Sequence, residues 1–246
     1  MSLLHKLFSR RWIFTSLLVL AATIVLIRLG IWQLDRLAGR RAFNAQVAFA
    51  LAAPPVDLNR EIPSNIESME WRSVRVTGTY DFENQITLRN RYFRDQVGYH
   101  LITPLLFSGK AVLVDRGWIP ADGNAAPQDW RMYDEAGGIT VTGQIRLGQE
   151  KPAFGGVEDP EPAEGERLLI WNNLNIGRIA DQIPYSILPV LIQPVMDEND
   201  SAPPIPFQPE LDLTEGSHFG YALQWFTFAG ILFFGYPFFL RKQEKA

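Results

Sequence analysis

Cysteine is absent from the 246 residues. That excludes a disulfide framework, thiolate metal sites and a cysteine nucleophile together. The four methionines are scattered and make no thioether copper site. Histidine is confined to His5, His100 and His218, so a metal site built from neighbouring imidazoles has nothing to draw on. The chain also lacks GxSxG, HExxH, a P-loop and any GxGxxG set between a strand and a helix. With no convergence of Ser, His and acid residues in a hydrolytic pattern, the expectation is that the protein is not an enzyme. A basic stripe with interleaved aromatics is missing too, and the formal net charge is -4. Nucleic acid is therefore not an expected partner. Finally, no Lys or Arg occurs between Ile179 and Leu240.

What is present is apolar: 47% of the residues are hydrophobic and 12% aromatic, which points to a folded chain with a sizeable core. From Phe219 to Leu240 none of the 22 residues carries a charge, the length needed to cross a hydrocarbon core as a helix. A second uncharged run covers Ile13 to Ile27. Beyond Arg28 the apolar pattern resumes through Leu34, so a helix from Trp12 to about Leu34 spans roughly 34 Å. Ala21 and Ala22 lie too deep for a signal-peptide cleavage site, so the first run is expected to stay as an anchor. Arg241, Lys242 and Lys245 follow the second span, and Lys6, Arg10 and Arg11 precede the first. By the positive-inside rule both termini are then cytoplasmic. Arg36, Arg40 and Arg41 oppose this, but they adjoin a long translocated segment, where the rule is weak. The expected order is a cytoplasmic segment 1–11, a transmembrane helix 12–34, an extracytoplasmic domain 35–215, a transmembrane helix 216–240 and a cytoplasmic tail 241–246.

Between the spans the pattern is one of strands. Residues 71–80 and 86–92 alternate apolar and polar, with Asp81 to Asn84 as turn material. Residues 97–107 and 111–119 flank Ser108-Gly109-Lys110, a tight hairpin. Residues 139–147 form a fifth strand. Residues 150–166, rich in Pro, Gly and acid, are a loop. Asn175 caps a short helix to Gln182, and 185–195 close the sheet. The fold class expected is two transmembrane α-helices flanking a mainly antiparallel β barrel or sandwich. The Pro-rich stretch 202–209 is expected to be a stiff, extended connector.

At helical spacing His218, Tyr221, Ala222, Trp225 and Ala229 share one face of the second span, and such a stripe could hold a flat ligand. Beside it stands the plain alternative that Tyr, Trp and His gather at membrane interfaces for their amphipathic rings. On the first helix Arg28, Trp32, Arg36 and Arg40 recur at every fourth residue. They form either an interfacial anchor or a basic stripe that faces His218 and supplies guanidinium groups to a ligand's carboxylates. His100 is taken as an ordinary strand histidine. At Arg116-Gly117-Trp118 the expectation is a bulge at Gly117, with Trp118 in the core and Arg116 as an outward charge.

Three patches, in order along the chain, resemble the surfeit locus protein 1 family of cytochrome c oxidase assembly factors: Gly30-Ile31-Trp32-Gln33-Leu34-Asp35-Arg36, Thr103-Pro104-Leu105 with Val112 to Pro120, and His218 to Phe226. The resemblance implies a factor of the bacterial plasma (inner) membrane that binds haem a as transient cargo and aids its insertion into oxidase subunit I. It makes His218 the ligand of the haem iron. Trp32, Arg36, Tyr221 and Trp225 would complete the pocket. The implied partners are subunit I, membrane lipid and, as a further candidate, haem a synthase. A reading from another class is a cofactor-free membrane scaffold that holds the nascent subunit during assembly.

Overall fold

The computed structural model describes residues 7–152, 154–163, 165–196, 201–207 and 211–243. His5, Lys6, Glu164, Lys245 and positions 208 and 209 of the Pro-rich stretch lie outside the described residues. The chain divides into a helical unit, from the segments up to Gln46 and from Leu211, and a β unit, Val47–Glu210.

The helical unit is built on α1 (Ile13–Ala52, 40 residues) and the last helix, α3 (His218–Lys242, 25 residues). Both are long and apolar enough to cross a membrane, and only 11% of each apolar window is buried inside the protein. Such exposure of apolar side chains is what lipid, rather than water, accommodates, and it marks a membrane protein. α1 continues 18 residues past the expected end near Leu34. Charge ends a membrane span, not a helix: Ala, Arg, Leu and Gln dominate 35–52, all good helix formers, and the first proline is Pro54.

The two helices pair along a seam. On α1, Ser16, Val19, Thr23, Leu26, Gly30, Gln33, Leu37, Arg40 and Asn44 step by three and four, and none of them is exposed. On α3 the same rhythm runs through His218, Ala222, Trp225, Ala229, Leu232 and Tyr236. This is the heptad pattern of knobs-into-holes packing. Where no water drives association, close approach must supply the attraction, and the seam carries small residues for it. Ala222 and Ala229 are buried, and Gly30 accepts the Phe226 ring so closely that a Cβ there would lie 2.6 Å from it. Trp12 meets Phe239 edge-on, with centroids 5.9 Å apart.

In the β unit the strands are β1 (Val56–Asp57), β2 (Ser73–Tyr80), β3 (Ile86–Phe93), β4 (Gln96–Phe107), β5 (Lys110–Pro120), β6 (Gly138–Arg146), β7 (Ile170–Trp171) and β8 (Ile187–Pro194). The sheet order β1-β2-β6-β8-β5-β4-β3-β7, with a further β2–β4 pairing, closes five strands into a ring, β2-β6-β8-β5-β4-β2. The barrel is mainly antiparallel; β5–β8, β1–β2 and β3–β7 are parallel. Alternation fills its interior: Val74, Val76 and Tyr80 from β2, Leu105 and Phe107 from β4, Val112 and Val114 from β5, Val141 and Ile145 from β6, and Leu188, Val190 and Ile192 from β8. A second apolar layer lies on the opposite face, where Trp171, Leu174, Ile176, Ile179 and Ile183 pack on Ile102, Leu113 and Leu191. It includes the short helix α2 (Ile176–Ala180), whose cap Asn175 accepts from the Arg178 N–H as expected. Covered on both faces, β5 is buried continuously from Ala111 to Ile119.

Ser108 and Gly109 both take positive φ, 47° and 74°, as a two-residue hairpin turn between β4 and β5 requires. Asp81 accepts from the N–H groups of Glu83 and Asn84 in the turn before β3. β1, β7 and a 3-10 segment at Pro127–Tyr133, which buries Trp130, were not expected from pattern. The connector at 202–209 also differs from its expectation. Ile205 is buried and bridges Trp118 through Trp118 N–H to Ile205 O, 2.6 Å, and Ile205 N–H to Trp118 O, 2.9 Å. That part of the stretch belongs to the β unit, because the end of β5 offers it unpaired backbone groups.

Candidate functional site

Polar side chains recur along the seam, and among the described residues two hydrogen-bonded pairs link the helices. At one end the Tyr236 hydroxyl and Ser16 Oγ are 2.8 Å apart, and Ser16 donates to Leu7 O at 2.9 Å, so Tyr236 is the donor to Ser16. At the other end His218 Nδ1 lies 2.8 Å from Gln33 Oε1. The pairs are 17 residues apart on α1 and 18 on α3, in opposite order, which fixes the helices as antiparallel and sets their register. With Gln33 Oε1 accepting, His218 carries its proton on Nδ1. In the neutral ring Nε2 then keeps its lone pair, the arrangement of a histidine whose second nitrogen binds a metal. Gly216 lies beside that nitrogen: a Cβ built on it would be 3.8 Å from Nε2. Nothing bulkier than hydrogen stands there, and the φ of 67° at Gly216 suits glycine.

The expected site residues distribute about this pair as follows. Trp225 and Ala222 lie in the seam with His218, and Trp225 meets Phe228 edge-on at 6.2 Å. Tyr221 does not: it is 49% exposed, one step off the seam. Trp32 is likewise 49% exposed, one residue and so about 100° around α1 from Gln33. The Arg36 guanidinium lies 5.5 Å from the Trp32 ring centroid, a cation–π pair. Among the described residues, no hydrogen bond or ring contact joins Trp32 or Arg36 to His218. In heptad terms Arg36 and Tyr221 both occupy g positions, and Trp32 sits next to Arg36 on the wheel. In an antiparallel pair the g positions fall on one flank, so these three side chains line the same side of the seam. Arg40 leaves the stripe and joins the seam. It donates to Thr214 O at 3.0 Å and pairs with Asp212 at 3.3 Å. Arg41 grips Glu215 with two bonds, 2.7 and 2.8 Å. Asn44 donates to Leu213 O and Thr214 O. Four residues of α1 thus hold 212–218 in place, Gln33 among them, and Gln33 was legible only as part of a motif.

The β unit holds the ionisable groups that pattern misjudged. Opposite Leu101 and Ile102 the ladder shifts, so that Leu101 pairs Gly117, Ile102 pairs Asp115 and Arg116 is the extra residue of a bulge. Gly117, at φ 123°, and buried Trp118 agree with the expectation. Arg116 does not: instead of an outward charge it is buried, with side-chain exposure of 2%. It donates to Gln85 Oε1 at 3.1 Å, to Tyr133 O, and to Glu135 at 2.9 Å, and lies over the rings of Tyr80 and Phe82 at 5.1 and 5.0 Å. The 3-10 segment after β5 covers a face that pattern alone would leave open. His100 is a strand histidine but a buried, paired one, with Nδ1 2.9 Å from Asp115 Oδ2. Asp115 also accepts from Gly117 N–H at 3.1 Å.

The SURF1 family is matched over residues 20–230, most of the chain. The chain belongs to the SURF1 family. That family is known as one of cytochrome c oxidase assembly factors. Among its relatives, the SURF1-like protein of Monosiga brevicollis is 26% identical over 239 residues, covering 91% of this chain and 87% of its own. The SURF1-like protein of Caenorhabditis elegans is 26% identical over 241 residues, 89% of this chain and 72% of its own. Surfeit locus protein 1 of Rattus norvegicus is 23% identical over 214 residues, 80% of this chain and 66% of its own. The matched region takes in most of α1, the first half of α3 and the whole barrel, so family and fold agree over those residues.

Proposed function

We propose that this SURF1 family member binds haem a and aids its insertion into subunit I of cytochrome c oxidase, working in the bacterial plasma membrane with both termini cytoplasmic. The observation that carries the reading is the Gln33–His218 hydrogen bond of 2.8 Å, which holds one imidazole nitrogen and leaves the other as a ligand for the haem iron. The donor set fits such a cargo. Imidazole suits iron, Arg36 suits a propionate, Trp32 and Tyr221 offer ring faces on the same flank, and a lipid-exposed helix pair suits an isoprenoid tail. A single ligand on a half-open flank also favours release, as a carrier requires. The role has no catalytic step; haem a synthase is the natural donor and subunit I the acceptor.

The test is co-expression with haem a synthesis, purification, and comparison of haem a spectra for the parent and His218→Ala. A loss of most bound haem a in the variant is expected, with Gln33→Leu intermediate. Equal haem a content in parent and His218→Ala would remove His218 from the site. Parent protein that never carries haem a, yet co-purifies with subunit I, would replace the carrier by a scaffold.

A further inference from the structure

The β unit contains a cleft of about 410 Å³ that the haem reading does not use. Its walls include Leu88, Leu174, Leu191 and Phe207, and its polar lining includes Arg91, Arg146 and the His100–Asp115 pair. An apolar cleft with a few convergent polar groups is the usual form of a small-molecule site. The two arginines are what set it apart. Arg91 is partly buried and, among the described residues, has no ion-pair or hydrogen-bond partner for its guanidinium; burial lowers its pKa, against the pull of Asp115. Arg146 is held from behind, stacked on the Trp71 ring at 3.4 Å and paired with Glu70 at 3.6 Å. Its Nη1 is buried and bonded to nothing. A buried donor without an acceptor carries an uncompensated desolvation cost unless something supplies one.

We propose that this cleft binds a small amphipathic carboxylate, with the carboxylate held between Arg91 and Arg146 and the apolar body against Leu174, Leu191 and Phe207. Asp115 stands in the lining and Glu70 pairs Arg146 from behind, so two carboxylates already balance the two guanidiniums. A carboxylate ligand adds a single negative charge to this donor-rich cleft, whereas a phosphate monoester, with a charge near -2, adds about twice that. Arginine's planar fork also matches the two oxygens of a carboxylate.

The experiment uses the full chain in lipid nanodiscs, titrated with hexanoate and with uncharged hexanamide, against empty nanodiscs as the blank. Saturable binding of hexanoate is expected, with hexanamide weaker by about tenfold or more. Arg91→Gln and Arg146→Gln should each weaken hexanoate by about the same factor, with melting curves checking that the barrel is intact. Equal binding of hexanoate and hexanamide, or no saturable hexanoate binding, would overturn the proposal without needing any variant to fold. Tighter binding of hexyl phosphate than of hexanoate would overturn the choice of carboxylate. None of these outcomes depends on haem, so failure here and failure of His218→Ala are separate results.

Discussion

The helical unit and the β unit both use a glycine to let a neighbour come close, a side-chain ring in one and a backbone in the other. Gly30 faces the outer edge of the Phe226 ring, an end that can swing aside. Gly117 faces the backbone of Ile205 and Pro206, where a Cβ would come within 2.3 Å, and its φ of 123° excludes most side chains in any case. One contact is a tolerance and the other a lock. The same difference runs through the polar groups. In the seam they act in pairs that set register, while in the barrel Arg116 is fixed by three hydrogen-bond partners and two aromatic rings.

Substituting the two glycines measures that contrast. Gly117→Val combines a forbidden φ with a backbone clash, and should cost on the order of 3 kcal/mol of barrel stability in a denaturant titration. A loss below about 1 kcal/mol would show that the Ile205 segment moves freely. Gly30→Leu should act on the helix pair and spare the barrel. Since the chain has no cysteine, Ser16→Cys with Tyr236→Cys gives a clean reporter for a short thiol-reactive cross-linker that spans the space left by the tyrosine ring. Cross-linking at that pair should fall about tenfold on adding Gly30→Leu, which corresponds to roughly 1.4 kcal/mol of pairing. Unchanged cross-linking would mean that the Phe226 ring had simply turned away.

The smallest effect lies at the barrel's Asp81. Burial pushes its carboxyl up, but hydrogen bonds from Tyr185, the Asn84 side chain and the backbone of Asn84 and Glu83 outweigh it, holding it below the usual carboxylate range. A depressed folded pKa gives stability that is present above the unfolded value, about 3.9, and is lost as pH falls through the folded one. The barrel should therefore weaken below about pH 4. Asp81→Asn should flatten that acid arm at a cost of no more than about 1 kcal/mol at neutral pH. Superimposable pH profiles of parent and variant would exclude Asp81 as the source.

Local pattern accounts for the parts of the fold whose physics is local. Alternation marked β2, β3 and β6 and the hairpin turn marked β4 and β5, to within a few residues, while 185–195 was read as closing the sheet, where β8 lies; Asn175 marked its cap, and 22 uncharged residues marked the second span. The bulge was legible because Gly117 interrupts an apolar strand. The misjudged residues were those buried by something far along the chain. Arg116 looked outward because nothing in its own strand says that the segment 127–135 returns to cover it. α1 was cut short at Leu34 because hydropathy reports the solvent a helix meets, not where its hydrogen bonds stop.

By itself the sequence determined the two spans, the strand-rich middle and the three motif patches through which the SURF1 family shows itself, since periodicity, charge and spacing are properties of neighbours. The tertiary structure decided that β2 meets β4 to close the barrel, that Asp115 and Arg116 are buried, and that His218 is held by Gln33 with Arg36, Trp32 and Tyr221 to one side. Those outcomes depend on which distant surfaces meet. A side chain's exposure and its free lone pair are fixed by its partners, and a linear pattern does not name them.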